Sequence, residues 1–126
     1  KRAALRAAGV NPRVLDLKAM ALVRAVNREE ALILNIEPTS FDVVMVVGGI
    51  AEIMRTTAWQ EGDLSEEEQA EHLAVALDLT VGFYNSHHPS YPLDPATPLF
   101  ITGQMSGDLT LIDKLQERVG YPIESL

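Results

Sequence analysis

Few side chains in this sequence have the type and spacing that catalysis requires. Two-metal hydrolysis of phosphate esters needs several carboxylates on neighbouring elements, but the first predicted strand carries Asn35 and then Glu37, and the fourth, Leu99 to Thr102, has no acid. His87 and His88 are adjacent, so an extended backbone points them apart, and we interpret them as part of a solvated loop. The chain has no cysteine, which removes thiolate nucleophiles and cysteine zinc sites. We therefore assign no catalytic residue and no metal ligand.

Charge and length limit the partners that the chain can bind. It has 126 residues and a net charge of −8 at neutral pH, which disfavours nucleic acid and anionic lipid as partners. No apolar run reaches the roughly eighteen residues that cross a bilayer, so we expect no direct membrane insertion. Residues 1–28 hold seven of the ten Lys and Arg residues and a single acid. This asymmetry, with a first residue other than Met, predicts a basic leading segment and a piece of a longer protein.

The basic leading segment, residues 1–28, is predicted to form a helix, a strand and a second helix. Residues 3–8 favour the end of a helix. Weak alternation of polar and apolar residues predicts a short strand over 13–17, and apolar residues at helical spacing predict a helix from about Lys18 to Asn27. We treat residues 29–126 as the main domain.

Three strands are predicted to open the main domain. Residues 31–36 form a continuous apolar run, which suits a central strand covered on both faces. Residues 41–47 are rich in β-branched side chains, and Gly48 and Gly49 supply the positive φ angles of a tight hairpin turn before a third strand over 50–58. The result is an antiparallel meander of three strands.

Helices and strands then alternate to the end of the chain. Ser65 and the glutamates after it form a capping box, which begins a helix that should run to about Asn85. A proline-rich loop, a strand at 99–102, a glycine turn at 103–107, a helix at 109–119 and a strand at 122–124 follow. The order β-β-β-α-β-α-β predicts an α/β domain with a mixed five-stranded sheet between helices, as in three-layer ribonuclease-H-like folds.

Segments in this order resemble one known family. Residues 4–26 resemble its helix, strand and interdomain helix, residues 34–40 its second phosphate-loop hairpin, and residues 100–107 with 120–124 its adenosine turn and closing strand. The family is that of the PilM-type proteins, the actin-like cytoplasmic component of type IV pilus assembly, related to the cell-division actin homologue FtsA. The chain resembles the C-terminal half of these proteins.

The resemblance implies half of a nucleotide site. Its cofactor-binding candidates are Asn35, Glu37, Thr39, Ser40, Gly103, Gln104 and Gly107. The family hairpin has an Asp and then a Gly where this chain has Asn35 and Glu37, so a carboxylate stands where a phosphate would lie. Thr39 and Ser40 could donate to phosphate or satisfy a turn. We therefore expect weakened or absent nucleotide binding, no cofactor in this chain alone, and ATP with magnesium only in a full-length protein.

The resemblance also implies a function and a location. It implies a cytoplasmic scaffold, peripheral at the inner membrane through its partners, which binds the cytoplasmic tail of a membrane-anchored pilus assembly protein. The chain alone is not expected to hydrolyse ATP, and its exposed half-interface would allow a homodimer. Two alternatives stay open: half of a competent actin-like or sugar-kinase-like ATPase whose catalytic acids lie upstream, and a stand-alone small adaptor.

Overall fold

The computed structural model describes residues 16–59 and 64–126. The helix end predicted at residues 3–8 lies outside this range, as does most of the strand predicted at 13–17. Leu17 does not end a strand but begins the first helix, α1 (Leu17–Val26). Asp16 explains this boundary, because its carboxylate accepts hydrogen bonds from the backbone N–H groups of Lys18 and Ala19 and so caps the helix.

The predicted meander is confirmed. Strands β1 (Glu30–Ile36), β2 (Ser40–Val47) and β3 (Ile50–Ala58) pair antiparallel in chain order. Gly48 and Gly49 form the β2–β3 turn with φ angles of 63° and 75°, which residues other than glycine rarely adopt. The β2–β3 register shifts between Met45 and Val46, so a bulge lies at the hairpin end and regular pairing continues beyond it.

Two short strands complete the mixed five-stranded sheet. β4 (Leu99–Thr102) pairs parallel with β1, and β5 (Ile123–Glu124) pairs parallel with β4. The strand order is β3-β2-β1-β4-β5, so β1 is central and β3 is an edge. The chain reaches β4 through α2 (Glu66–His87), and β5 through a 3₁₀ turn (Gln104–Gly107) followed by α3 (Leu109–Gln116).

Helices pack on both faces of the sheet, which gives three layers. Alternate residues of β1 face opposite sides. Leu32, Leu34 and Ile36 pack with α2 and α3, whereas Ala31 and Ile33 pack with α1. This explains why the whole run after Glu30 is apolar or buried.

The boundaries of α2 and α3 depart from prediction at their ends. The capping box at Ser65 is present in full, and α2 runs two residues beyond Asn85. α3 ends at Gln116 rather than near Val119, because the backbone N–H of Arg118 bonds to the carbonyl of Leu115 and tightens the last turn. Val119 still packs in the core. In the described ranges no helix is long and apolar enough to span a membrane.

Candidate functional site

The candidate site lies where the carboxyl ends of β1 and β4 meet. Because these strands are parallel, Asn35 on β1 lies beside Thr102 on β4. On the other side of β1, Asn35 lies beside Asp42 on β2, which in turn lies beside Thr56 on β3. Four polar side chains therefore form a row across four strands, on the sheet face that α1 covers.

Hydrogen bonds connect the whole row. Thr102 Oγ1 donates to Asn35 Oδ1 at 2.8 Å, and Asn35 Nδ2 donates to Asp42 Oδ2 at 3.0 Å. Thr56 Oγ1 donates to Asp42 Oδ1 at 2.6 Å. Lys18, from the first turn of α1, adds an ion pair of 3.1 Å between its Nζ and Asp42 Oδ2. The amide of Asn35 is therefore fixed in orientation by a donor on one side and an acceptor on the other.

Asp42 is the charged centre of this polar row, and its side chain has no exposed surface. Burial by itself raises the pKa of the Asp42 carboxyl, but the hydrogen bonds from Thr56, Asn35 and Lys18 and the charge of Lys18 outweigh it and lower the pKa below its usual value. The carboxyl is therefore ionised at neutral pH. A fully buried carboxylate requires such partners.

Sequence reasoning missed Asp42, Lys18, Thr56 and Thr102. The signal for Asp42 is its position inside the otherwise apolar run from Phe41 to Val47, where a carboxylate must find donors. Lys18 and Thr56 lie 24 and 14 residues from Asp42, and the packing of α1 and the strand register bring them to it.

Glu37 joins the β1–β2 turn to the β4 turn. Its Oε1 accepts a hydrogen bond of 3.1 Å from the backbone N–H of Gln104, the first residue of the 3₁₀ turn. Its Oε2 lies 3.5 Å from Asn35 Nδ2, and its carbonyl accepts from Trp59 Nε1 at 2.8 Å. The structure thus brings together Asn35, Glu37 and Gln104, three of the predicted binding residues.

Gly103 is a fourth residue of this group, and only glycine fits there. Its φ is 94°, and a Cβ built on it would lie 2.4 Å from the carbonyl oxygen of Ile36. The β4 turn therefore approaches the end of β1 by backbone contact, which explains how Gln104 comes within reach of Glu37.

The three other predicted residues are placed differently. Ser40 accepts the backbone N–H of Glu37 with its carbonyl, and Thr39 accepts that of Trp59, so both close the turn through the backbone. Gly107 ends the 3₁₀ turn, and no heavy atom lies within 4 Å of the position that a Cβ would take there. In the described part of the chain, no hydrogen bond from a side chain of Thr39 or Ser40 reaches the polar row.

Protein groups already occupy the donors and acceptors at this end of the sheet. The N–H of Gln104, in the turn that the resemblance assigns to adenosine, already donates to the carboxylate of Glu37, which stands in the hairpin assigned to phosphate. Both oxygens of Asp42 accept from protein donors, one of them the Lys18 ammonium, so a cation would have to displace a like charge. Residues 16–59 and 64–126 hold no group of three or more His, Asp or Glu side chains placed to bind a metal ion.

Comparison with known proteins identifies the fold. No protein-family model matches the chain, and no curated protein matches its sequence. Among solved structures, the ethanolamine utilization protein EutJ from Carboxydothermus hydrogenoformans matches 98% of this chain with a TM-score of 0.54 and 10% sequence identity. EutJ has an actin-like ATPase/Hsp70-type fold. The chain has the fold of an actin-like ATPase subdomain.

The match concerns the fold alone, because the two sequences share so few residues. The chain spans about half the length of EutJ, since the alignment covers 54% of that protein. The predicted α/β class and mixed five-stranded sheet are confirmed.

Proposed function

We propose that the chain acts as a protein-binding scaffold whose nucleotide half-site is closed by its own side chains. The hydrogen bond between the Glu37 carboxylate and the N–H of Gln104 carries this proposal. It joins the two loops that the resemblance assigns to phosphate and adenosine, and it puts a negative charge between them.

Electrostatics supports a closed site. A phosphate at the β1–β2 turn would have to lie near the carboxylate of Glu37. Two unit charges about 4 Å apart repel by about 1 kcal/mol in water and by more where water is partly excluded. The phosphate would also lose the donor that Glu37 now occupies.

A titration of the full-length protein with ATP and magnesium at millimolar concentration tests the closed site, because this chain alone is half of the proposed nucleotide site. We expect no saturable heat in a calorimeter. The matched variant Glu37→Gln keeps the side-chain volume and removes the charge, so it separates repulsion from steric exclusion. Saturable binding by the full-length protein without a substitution would contradict the proposal and favour half of a competent ATPase whose catalytic acids lie upstream.

The finer assignment is a PilM-like scaffold of type IV pilus assembly. The sequence resemblance of residues 4–26, 34–40, 100–107 and 120–124 supports it. We propose the cytoplasmic tail of a membrane-anchored pilus assembly protein as the partner, and a cytoplasmic location at the inner membrane through that partner. A homodimer through the exposed half-interface belongs to the same proposal.

A binding assay with synthetic tails tests this assignment. The probes are the cytoplasmic tails of membrane-anchored pilus assembly proteins, each compared with a scrambled version of the same composition. We expect a tail to bind the chain more tightly than its scrambled control. Equal binding of tail and control would remove the pilus assignment and leave the fold untouched.

A further inference from the structure

A groove runs between the edge strand β3 and helix α2, separate from the nucleotide half-site. We call it the edge groove. Its lining includes Arg55, Thr57, Trp59, Val75 and Leu79, around a cavity of about 280 Å³. Val75 and Leu79 lie one helical turn apart on α2 and are 47% and 55% exposed. Apolar side chains with this exposure, aligned beside an open strand, are typical of a binding surface.

The edge groove has a backbone that can accept another strand. Among residues 16–59 and 64–126, β3 pairs only with β2. The N–H of Trp59 donates to the carbonyl of Thr39, which precedes β2. Because the direction of the backbone N–H alternates from residue to residue along a strand, the N–H groups of Arg55 and Thr57 face β2 as well. Those of Thr56 and Ala58 therefore face outward, along a stretch whose pairing with β2 is regular.

Arg55 defines the charge that the edge groove prefers. It lies opposite Val43, a core residue on the α2 side of the sheet, so its side chain shares that face. Arg55 is exposed, and among the residues that the structure describes it takes part in none of the ion pairs. In a chain of net charge −8, this is a local positive charge between apolar neighbours.

We propose that the edge groove binds an extended peptide, which adds a strand beside β3 and carries an acidic residue between two apolar ones at alternate positions. Side chains directly opposite each other on paired strands share a face. An Asp or Glu opposite Arg55 would therefore pair with its guanidinium, and the apolar residues two positions away on each side would contact Val75 and Leu79. The proposal rests on the scaffold function and names the surface it uses.

A fluorescein-labelled nonapeptide tests the charge preference. The probe alternates Leu and Thr with Leu at the inward positions, and Asp replaces the central Leu; its control has Lys there. We expect saturable anisotropy with a Kd near 100 μM for the Asp peptide and about fivefold weaker binding of the Lys peptide. In the variant Arg55→Glu the preference should reverse. No saturation up to about 1 mM, or equal affinity for both peptides, would overturn the proposal.

N-methylated probes test the strand geometry without altering the protein. Two versions of the Asp peptide carry methyl groups on alternate backbone nitrogens, one version on the odd-numbered and the other on the even-numbered residues. Only one of the two sets of nitrogens faces β3, so one version should lose binding and the other should keep it. Equal loss from both sets would indicate a helical or nonspecific ligand and would overturn the proposal. Leu79→Ala should weaken binding, whereas Leu109→Ala, equally apolar and 72% exposed on α3, should not.

The remaining occupant of the edge groove is a second copy of the chain. Sedimentation velocity of the chain without peptide tests this occupant. A dimer that dissociates in the variant Arg55→Glu and does not bind the Asp peptide would assign the groove to self-association and overturn the proposal. Nucleotide binding in the separate titration would remove the closed half-site and leave the peptide result standing. The failure of one proposal is therefore distinguishable from the failure of the other.

Discussion

Asp42 shows how a single buried charge organises this end of the sheet. It receives hydrogen bonds from α1, β1 and β3, so three elements share one carboxylate. Removing this carboxylate leaves its donors without their acceptor, which costs more than a single hydrogen bond contributes. The same carboxylate links the stability of the protein to pH.

Asp42→Asn should lower the free energy of unfolding by about 1–3 kcal/mol at neutral pH. Since folding lowers the pKa of Asp42, its stabilising contribution is present above the pKa of an unfolded Asp and is lost as the pH falls through the lower pKa of the folded state. Urea titrations between pH 7 and pH 2 should therefore show the difference from the unchanged chain shrinking below about pH 4.

Asp113→Asn is the matched control for this prediction. Asp113 is exposed on α3, and its substitution should change the free energy of unfolding by less than about 0.5 kcal/mol. A difference for Asp42→Asn that stays constant down to pH 2 would contradict the role of its ionised form.

At the same scale, sequence reasoning found part of the site and missed the rest. Asn35, Glu37, Gly103 and Gln104 were predicted as one site and do lie together. Whether they bind a nucleotide stays a prediction. The partners of Asp42 could not be predicted, because Lys18 and Thr56 lie 24 and 14 residues from it and only the sheet register and the packing of α1 make them neighbours.

Contacts between elements depend on close backbone approach as much as on side chains. The β4 turn lies against the end of β1 because Gly103 has no side chain and adopts a positive φ. This contact positions Gln104 for its hydrogen bond with Glu37. The turn should therefore tolerate no larger residue.

Gly103→Ala should destabilise the protein by about 2–4 kcal/mol, because a positive φ is strained and the new methyl group would overlap the carbonyl of Ile36. Gly107→Ala is the control in the same turn. No heavy atom lies within 4 Å of its Cβ position, so its effect should be below about 0.5 kcal/mol. Thermal or chemical unfolding measures both, and similar losses for the two variants would contradict the close-approach argument.

Element prediction succeeded where a local signal was strong. The bounds of β3 and β4 were predicted as they are observed, since Gly49 precedes β3, and Pro98 and Gly103 flank β4. The predicted end of α3 was wrong by about one turn, because Val119 continues the apolar spacing and its N–H still bonds to the carbonyl of Leu115, although the regular helix ends at Gln116. Periodicity indicates which face is buried, and it does not fix the last hydrogen bond.

For the whole molecule, the order of elements was sufficient to predict the sheet class. Three consecutive strands followed by helix-strand units led to a mixed sheet with helices on both faces, which the structure confirms. The bulge in β3 and the side on which α2 leaves an open groove were not predictable, because both depend on packing between segments that are distant in sequence.

Hydrogen exchange should report the layered arrangement. β1 is paired on both sides and buried from Ala31 onward, so its amides should exchange most slowly. On β3 the pattern should alternate, with Thr57 protected and Thr56 and Ala58 exchanging quickly, since only alternate N–H groups face β2. Uniform protection along β3 would contradict an open sheet edge. NMR-detected exchange of the assigned protein measures all of these amides.

The two neighbours of β1 arrive at very different times during synthesis. β2 follows it within a few residues, whereas Thr102 of β4 lies 67 residues from Asn35. A nascent or refolding chain must therefore pass through a stage in which the apolar strand β1 is paired with β2 and its other edge has no hydrogen-bonded neighbour. The refolding yield should therefore fall as the protein concentration rises, even under conditions in which the folded protein is stable.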